Sequence, residues 1–131
     1  MIGMDPVRMP FDRSADSAPV RQAAREILVD WDAAHIADDA LAVITELVHN
    51  VIRHTDAGGR LDLSRQADSI LIEVFDTSSR LPRRFSPDPH RIGGRGLLIV
   101  DAMAASWGTS ETSHGRPGKV VWARISLDRS V

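Results

Sequence analysis

The stretch that decides the fold is Asp38-Asp39-Ala40-Leu41-Ala42-Val43-Ile44-Thr45-Glu46-Leu47-Val48-His49-Asn50-Val51-Ile52-Arg53-His54. At 100° per residue, Leu41, Ile44, Leu47, Val48, Val51 and Ile52 share one side, and Glu46, His49, Asn50, Arg53 and His54 share the other. That is the pattern of an amphipathic helix with one face turned to a core. Asp38 and Asp39 place negative charge where a helix N-terminus favours it. Asp56-Ala57-Gly58-Gly59 supplies the stop.

Downstream, Leu61 and Leu63 alternate with polar residues, Gln66-Ala67-Asp68-Ser69 turns the chain, and Ile70, Ile72 and Val74 share one face of the run that ends at Asp76. This predicts a β-hairpin with an acid out of pattern at its core-facing end. Residues 77–95 hold three prolines, five arginines, Gly93 and Gly94, with no apolar period; so long a loop in a compact domain is usually functional or mobile. A third helix is expected over Gly96–Ala105, then two closing strands, Trp107–Thr112 and Val120–Leu127, around Ser113–Gly118. Upstream, Val7–Asp12 reads as an extended segment in which Pro10 suits an edge strand. Ser17 stands as an N-cap, with Pro19 in the first turn of a helix over about residues 18–31.

The chain has 131 residues, 43% of them hydrophobic and 26% charged, the composition of one globular domain with its own core. No apolar run approaches the roughly 20 residues needed to span a bilayer. With 16 Lys+Arg against 18 Asp+Glu, the basic excess of a general nucleic-acid binder is missing. The absence of cysteine excludes disulfides and thiolate chemistry. Lys119 is the only lysine, so the cationic chemistry is arginine chemistry. Met1–Asp5 lacks the regions of a signal peptide, and a cytoplasmic protein is the expectation.

Three features carry chemistry. Glu46, Asn50 and His54, at i, i+4 and i+8, stack on one helical face. Taken alone such a column is a solvated face, but asparagine is a poor helix former and Asn50 sits in mid-helix. Its carboxamide oxygen is a hard ligand suited to magnesium, and Glu46, one turn earlier, is placed to act as a base beside it. Asp76 is the second feature. The third is Gly93-Gly94-Arg95-Gly96, running into a helix N-terminus where backbone amides and the dipole favour an anion. It is no P-loop, because Gly118-Lys119-Val120 lacks the hydroxyl. His49 and His54 miss the zinc-binding spacing of H-E-x-x-H.

Taken in order, Glu46–His54 resembles the N box of the GHKL ATPase superfamily, Asp76-Thr77-Ser78 its first glycine box, and Gly93–Asp101 its second. Within the superfamily, Gly94-Arg95-Gly96-Leu97-Leu98-Ile99-Val100-Asp101, Trp107-Gly108 and Gly118-Lys119-Val120-Val121-Trp122 are similar to small bacterial anti-sigma factor serine/threonine kinases and their ATP-binding relatives. The resemblance covers about residues 7–127 of a chain read as a single domain over 1–131. It implies the Bergerat ATP-binding fold: a two-layer α/β (α+β) sandwich with about three helices on one face of a mixed, mainly antiparallel sheet.

The resemblance also implies the cofactors ATP and Mg²⁺. Glu46 would be the catalytic residue and Asn50 the metal ligand, while Asp76 would accept a hydrogen bond from the adenine amino group. Arg53, His54, Ser78, Gly93, Gly94, Arg95, Gly96 and Leu97 would complete the nucleotide site with Asn50 and Asp76. The implied partners are a sigma factor and an anti-anti-sigma (STAS-type) protein, with neither nucleic acid nor membrane. Relatives commonly dimerise, so a homodimer is a further expectation.

Two departures bear on activity. Ser78 stands where the family's D-x-G has glycine, and Val120 stands where a threonine often helps to fix adenine. Both favour an alternative, the same fold as a protein-interaction switch with weak or no phosphotransfer; Glu46 and Asn50 oppose it. A detached histidine-kinase ATPase domain ranks lower, because no helix with a phosphoacceptor histidine precedes residue 18 in this sequence.

Overall fold

The computed structural model describes residues 6–12, 17–54, 58–76, 94–111 and 119–128. Strand β1 spans Val7–Phe11, helix α1 Ala18–Asp30, a 3-10 turn Ala34–Ile36, and α2 Ala37–His54. Then come β2 (Gly59–Arg65), β3 (Ser69–Asp76), α3 (Gly94–Met103), β4 (Ser106–Glu111) and β5 (Lys119–Ser126). The five strands form one open sheet in the order β1-β2-β3-β5-β4. Every neighbouring pair is antiparallel, so the expected α+β sandwich with a mainly antiparallel sheet is the fold observed. The long segment after Asp76, with Ser78 and Gly93, lies outside the described residues, as does the turn before Lys119. Among the described residues no helix is long and apolar enough to cross a membrane.

Strand alternation fixes the two faces of the sheet. Val7, Leu63, Ile72, Ala123 and Trp107 form one cross-strand row, and Met9, Leu61, Val74, Val121 and Thr109 the next. Their central members are buried against α2, whose Ile44, Leu47, Val48 and Val51 are buried in turn. Each such side chain contributes about 1.5–3 kcal/mol relative to exposure. The intervening row, Arg8, Asp62, Glu73, Trp122 and Gly108, points to the opposite face. Pro10 sits on edge strand β1, where a missing N–H is tolerated.

Two helix starts differ from the sequence reading. Ser17 precedes α1, but its φ of -70° and ψ of -11° are already helical and its hydroxyl makes no capping bond; an N-cap side chain reaches the first turn from an extended backbone. Helix α3 opens at Gly94 rather than Gly96. It ends at Met103 because the Ala105 N–H turns away to the Arg124 carbonyl oxygen at 2.8 Å, starting the β4 pairing.

The passage from α2 into β2 depends on two glycines. Gly58 has a φ of +84°, open to glycine at no steric cost. At Gly59 a Cβ would run into the Phe75 carbonyl oxygen and lie 3.2 Å from Val51 Cγ1. Its absence lets the C-terminal half of α2 settle on the sheet directly over the row Phe11, Gly59, Asp76 and Lys119.

Candidate functional site

Helix α2 is packed against α1, α3 and the sheet, so its polar side is not simply a solvated face. Val43, two turns before Asn50 on the same stripe, is fully buried, and Asn50 itself is only 4% exposed. This corrects the expectation that Asn50 stands on an open polar face. The helical period locates faces on an isolated helix; here α2 also packs against α1 and α3, and Val100 of α3 is buried.

The Asn50 carboxamide is poorly satisfied. Its Nδ2 is buried with no hydrogen-bond partner, and its Oδ1 accepts one long bond, 3.5 Å, from Arg53 Nη1. An unmade hydrogen bond on a buried amide costs about 1–3 kcal/mol, and a leucine or valine at this position would avoid that cost. A buried polar side chain retained in this state is suited to a ligand that completes its bonding.

Glu46 lies one turn earlier and is half-buried, whereas Arg53 is exposed. His54 is the last residue of α2. Asp76 ends β3 half-buried, paired with Gly59 on one side and Lys119 on the other. Because Val51 packs over Gly59, the turn of α2 that carries Asn50 and the strand end that carries Asp76 belong to one end of the sandwich. Gly94, Arg95, Gly96 and Leu97 form the first turn of α3. That turn carries no acidic residue, and the positive end of a helix dipole suits an anion.

The structure revises one comparison made from the sequence. Val120 pairs with Phe75, not with Asp76, and falls in a row with Arg60 and Ser110. Alternation puts it on the sheet face opposite Asp76, so a valine there removes no hydroxyl from beside Asp76. The residue in register with Asp76 is Lys119.

Two further features have no counterpart in the sequence reading. A groove of about 440 Å³ lies between α1 and α2, bordered by Arg21, Arg25, Asp38 and Leu41; the spacing of Arg21 and Arg25, one turn apart, was its only sequence signal. On the helix-free face of the sheet, Asp62 receives Arg60 Nε at 2.9 Å and Nη2 at 3.3 Å, with Arg8 Nε at 3.7 Å. Arg60 also lies over the Phe75 ring, 4.3 Å from its centroid. Glu73, directly opposite Asp62, has its carboxyl pushed above the usual range by burial and by the Asp62 charge, against the opposing pull of Arg60.

No protein-family model matches the chain, and no curated protein matches it. Among solved structures, the fold is similar to that of the Acinetobacter baumannii histidine kinase AdeS, with a TM-score of 0.54. The two are 15% identical in sequence, and the match covers 96% of this chain and 70% of that one. At that identity the likeness concerns the fold.

Proposed function

We propose that this chain is an ATP-binding regulatory protein of the GHKL type, a serine/threonine kinase of the anti-sigma class that phosphorylates an anti-anti-sigma partner and sequesters a sigma factor. The observation that carries the nucleotide reading is Asn50, buried in mid-helix with an unpartnered amide nitrogen. The fold it shares with a histidine kinase and the order of the three sequence boxes support the same reading.

The residues fit a magnesium triphosphate. Asn50 Oδ1 is a hard oxygen of the kind magnesium takes beside phosphate ligands. The first turn of α3 offers backbone amides to the phosphates. Asp76, half-buried at the strand end, would accept from an exocyclic amino group. Bound magnesium would neutralise phosphate charge, the main electrostatic demand of phosphoryl transfer. Glu46 would take the proton of the target hydroxyl as its oxygen bonds to the γ-phosphorus and the bond to the ADP oxygen breaks.

The test is incubation with labelled ATP, magnesium and the anti-anti-sigma proteins of the same genome. Labelled partner is the expected product. Tight ATP binding without transfer to any verified partner would favour the interaction-switch reading, which rests on Ser78 at the glycine position of the first box.

A further inference from the structure

The Asn50 carboxamide is held by a residue of its own helix. Arg53, one turn on and exposed, donates through Nη1 to Asn50 Oδ1 at 3.5 Å, while Nδ2 is sealed from water and unpartnered. Of the two ends of the amide, the oxygen is therefore the one a cationic side chain already reaches. An oxygen open to a guanidinium from that side is open to a hydrated metal ion from the same side. Both cations cannot hold it together, because like charges at this range repel. The bond is long and one partner is exposed, so it is cheap to break.

We propose that Arg53 is a built-in stand-in for the metal: it fixes the Asn50 oxygen outward in the nucleotide-free protein and gives it up when magnesium enters. This inference rests on the nucleotide reading of the site and goes further, because it assigns to the chain its own fallback cation. An arginine stays charged at every working pH. The positive charge beside the triphosphate is therefore never wholly absent, and nucleotide binding keeps part of its strength without magnesium. Arg53 acts here as a positioning residue through Asn50, with no bond of its own to the reacting atoms.

The experiment is calorimetric titration of ATP into wild type, Arg53→Gln and Arg53→Lys, each in excess magnesium and in EDTA, with the melting temperature of each nucleotide-free protein recorded. The readout is the ratio of the two dissociation constants. The dissociation constant in EDTA divided by that in magnesium is expected to rise by about fivefold in Arg53→Gln, the worth of one unit-charge attraction at about 4 Å in water, and to stay close to wild type in Arg53→Lys. Equal ratios in wild type and Arg53→Gln would overturn the inference while leaving nucleotide binding intact. A Lys variant that behaves like the Gln variant would overturn it too, by removing charge as the cause. Wild type that binds ATP in neither condition would overturn the nucleotide reading and this inference with it.

Discussion

Asn50 on α2 and Asp62 on β2 are buried to the same degree, 4% exposed each, and their surroundings treat them in opposite ways. Asp62 is matched: Arg60 holds it through two nitrogens, Arg8 approaches from the edge strand, and the Arg60 guanidinium is itself seated on Phe75. Asn50 has one long bond to its oxygen and none to its nitrogen. Burial alone therefore does not distinguish the two groups; satisfaction of their hydrogen bonds does. The matched group stabilises the sheet, and the unmatched one is where the proposed nucleotide site would have a ligand complete the bonding.

The largest expected effect concerns Glu46, the proposed base one turn before Asn50. Glu46→Gln keeps the shape of the side chain and removes its charge, so ATP affinity should stay within a few-fold. Phosphotransfer to the cognate partner should fall by about 10²–10⁴, the usual worth of a positioned base. Initial rates on the verified partner decide it, and equal rates would take Glu46 out of the mechanism.

Next comes Asn50 itself. Asn50→Ala should abolish magnesium-dependent ATP binding in calorimetry. Because the lost group is already unsatisfied, nucleotide-free stability should change by less than about 1 kcal/mol in urea melts. A large loss of stability would mean that Asn50 holds the fold in the way Asp62 does.

Asp62→Ala should show the reverse pattern. Its arginines are partly exposed, at 35% and 65%, and water takes over part of their bonding. A loss of about 1–2 kcal/mol of stability is expected, with ATP affinity unchanged. An effect on affinity would tie the two faces of the sheet together and blur the contrast.

The smallest effect concerns Glu73. Its folded carboxyl binds a proton more readily than the unfolded one, so the folded state carries the extra proton in the window just above the ordinary glutamate range. Stability must then fall as pH rises through that window and recover as pH falls back through it. Glu73→Gln should remove this slope and raise stability slightly at neutral pH. Urea midpoints from pH 4 to 7 check it; a slope of the same size in the variant would assign it to another group.

Much of this architecture is legible in the sequence because short-range patterns set it. The period of two in Ile70, Ile72 and Val74 gave the hairpin, and Pro10 marked an edge strand that is indeed at the edge. The helical period likewise located α2 to within a residue at its start. What the patterns missed depends on three-dimensional neighbours. The burial of Asn50 depends on what packs around α2, which no period within α2 can report. The register of Lys119 with Asp76 follows from long-range pairing, and a one-residue slip reverses the face. The Arg60–Asp62 pair, two apart on β2, was readable only as alternation, because its importance comes from Arg8 and Glu73 on the neighbouring strands. Of the proposed site, Ser78 and Gly93 lie outside the described residues.

The most direct test of the contrast is a thermal shift with Mg-ATP on three proteins side by side: wild type, Asn50→Ala and Asp62→Ala. A ligand bound only by the folded state stabilises it, by about 2.7 kcal/mol at a hundred times its dissociation constant. The account predicts that Mg-ATP raises the melting temperature of wild type and of Asp62→Ala, the latter from a lower starting point, and leaves Asn50→Ala unmoved. An equal rise in Asn50→Ala, or none in wild type, would contradict it.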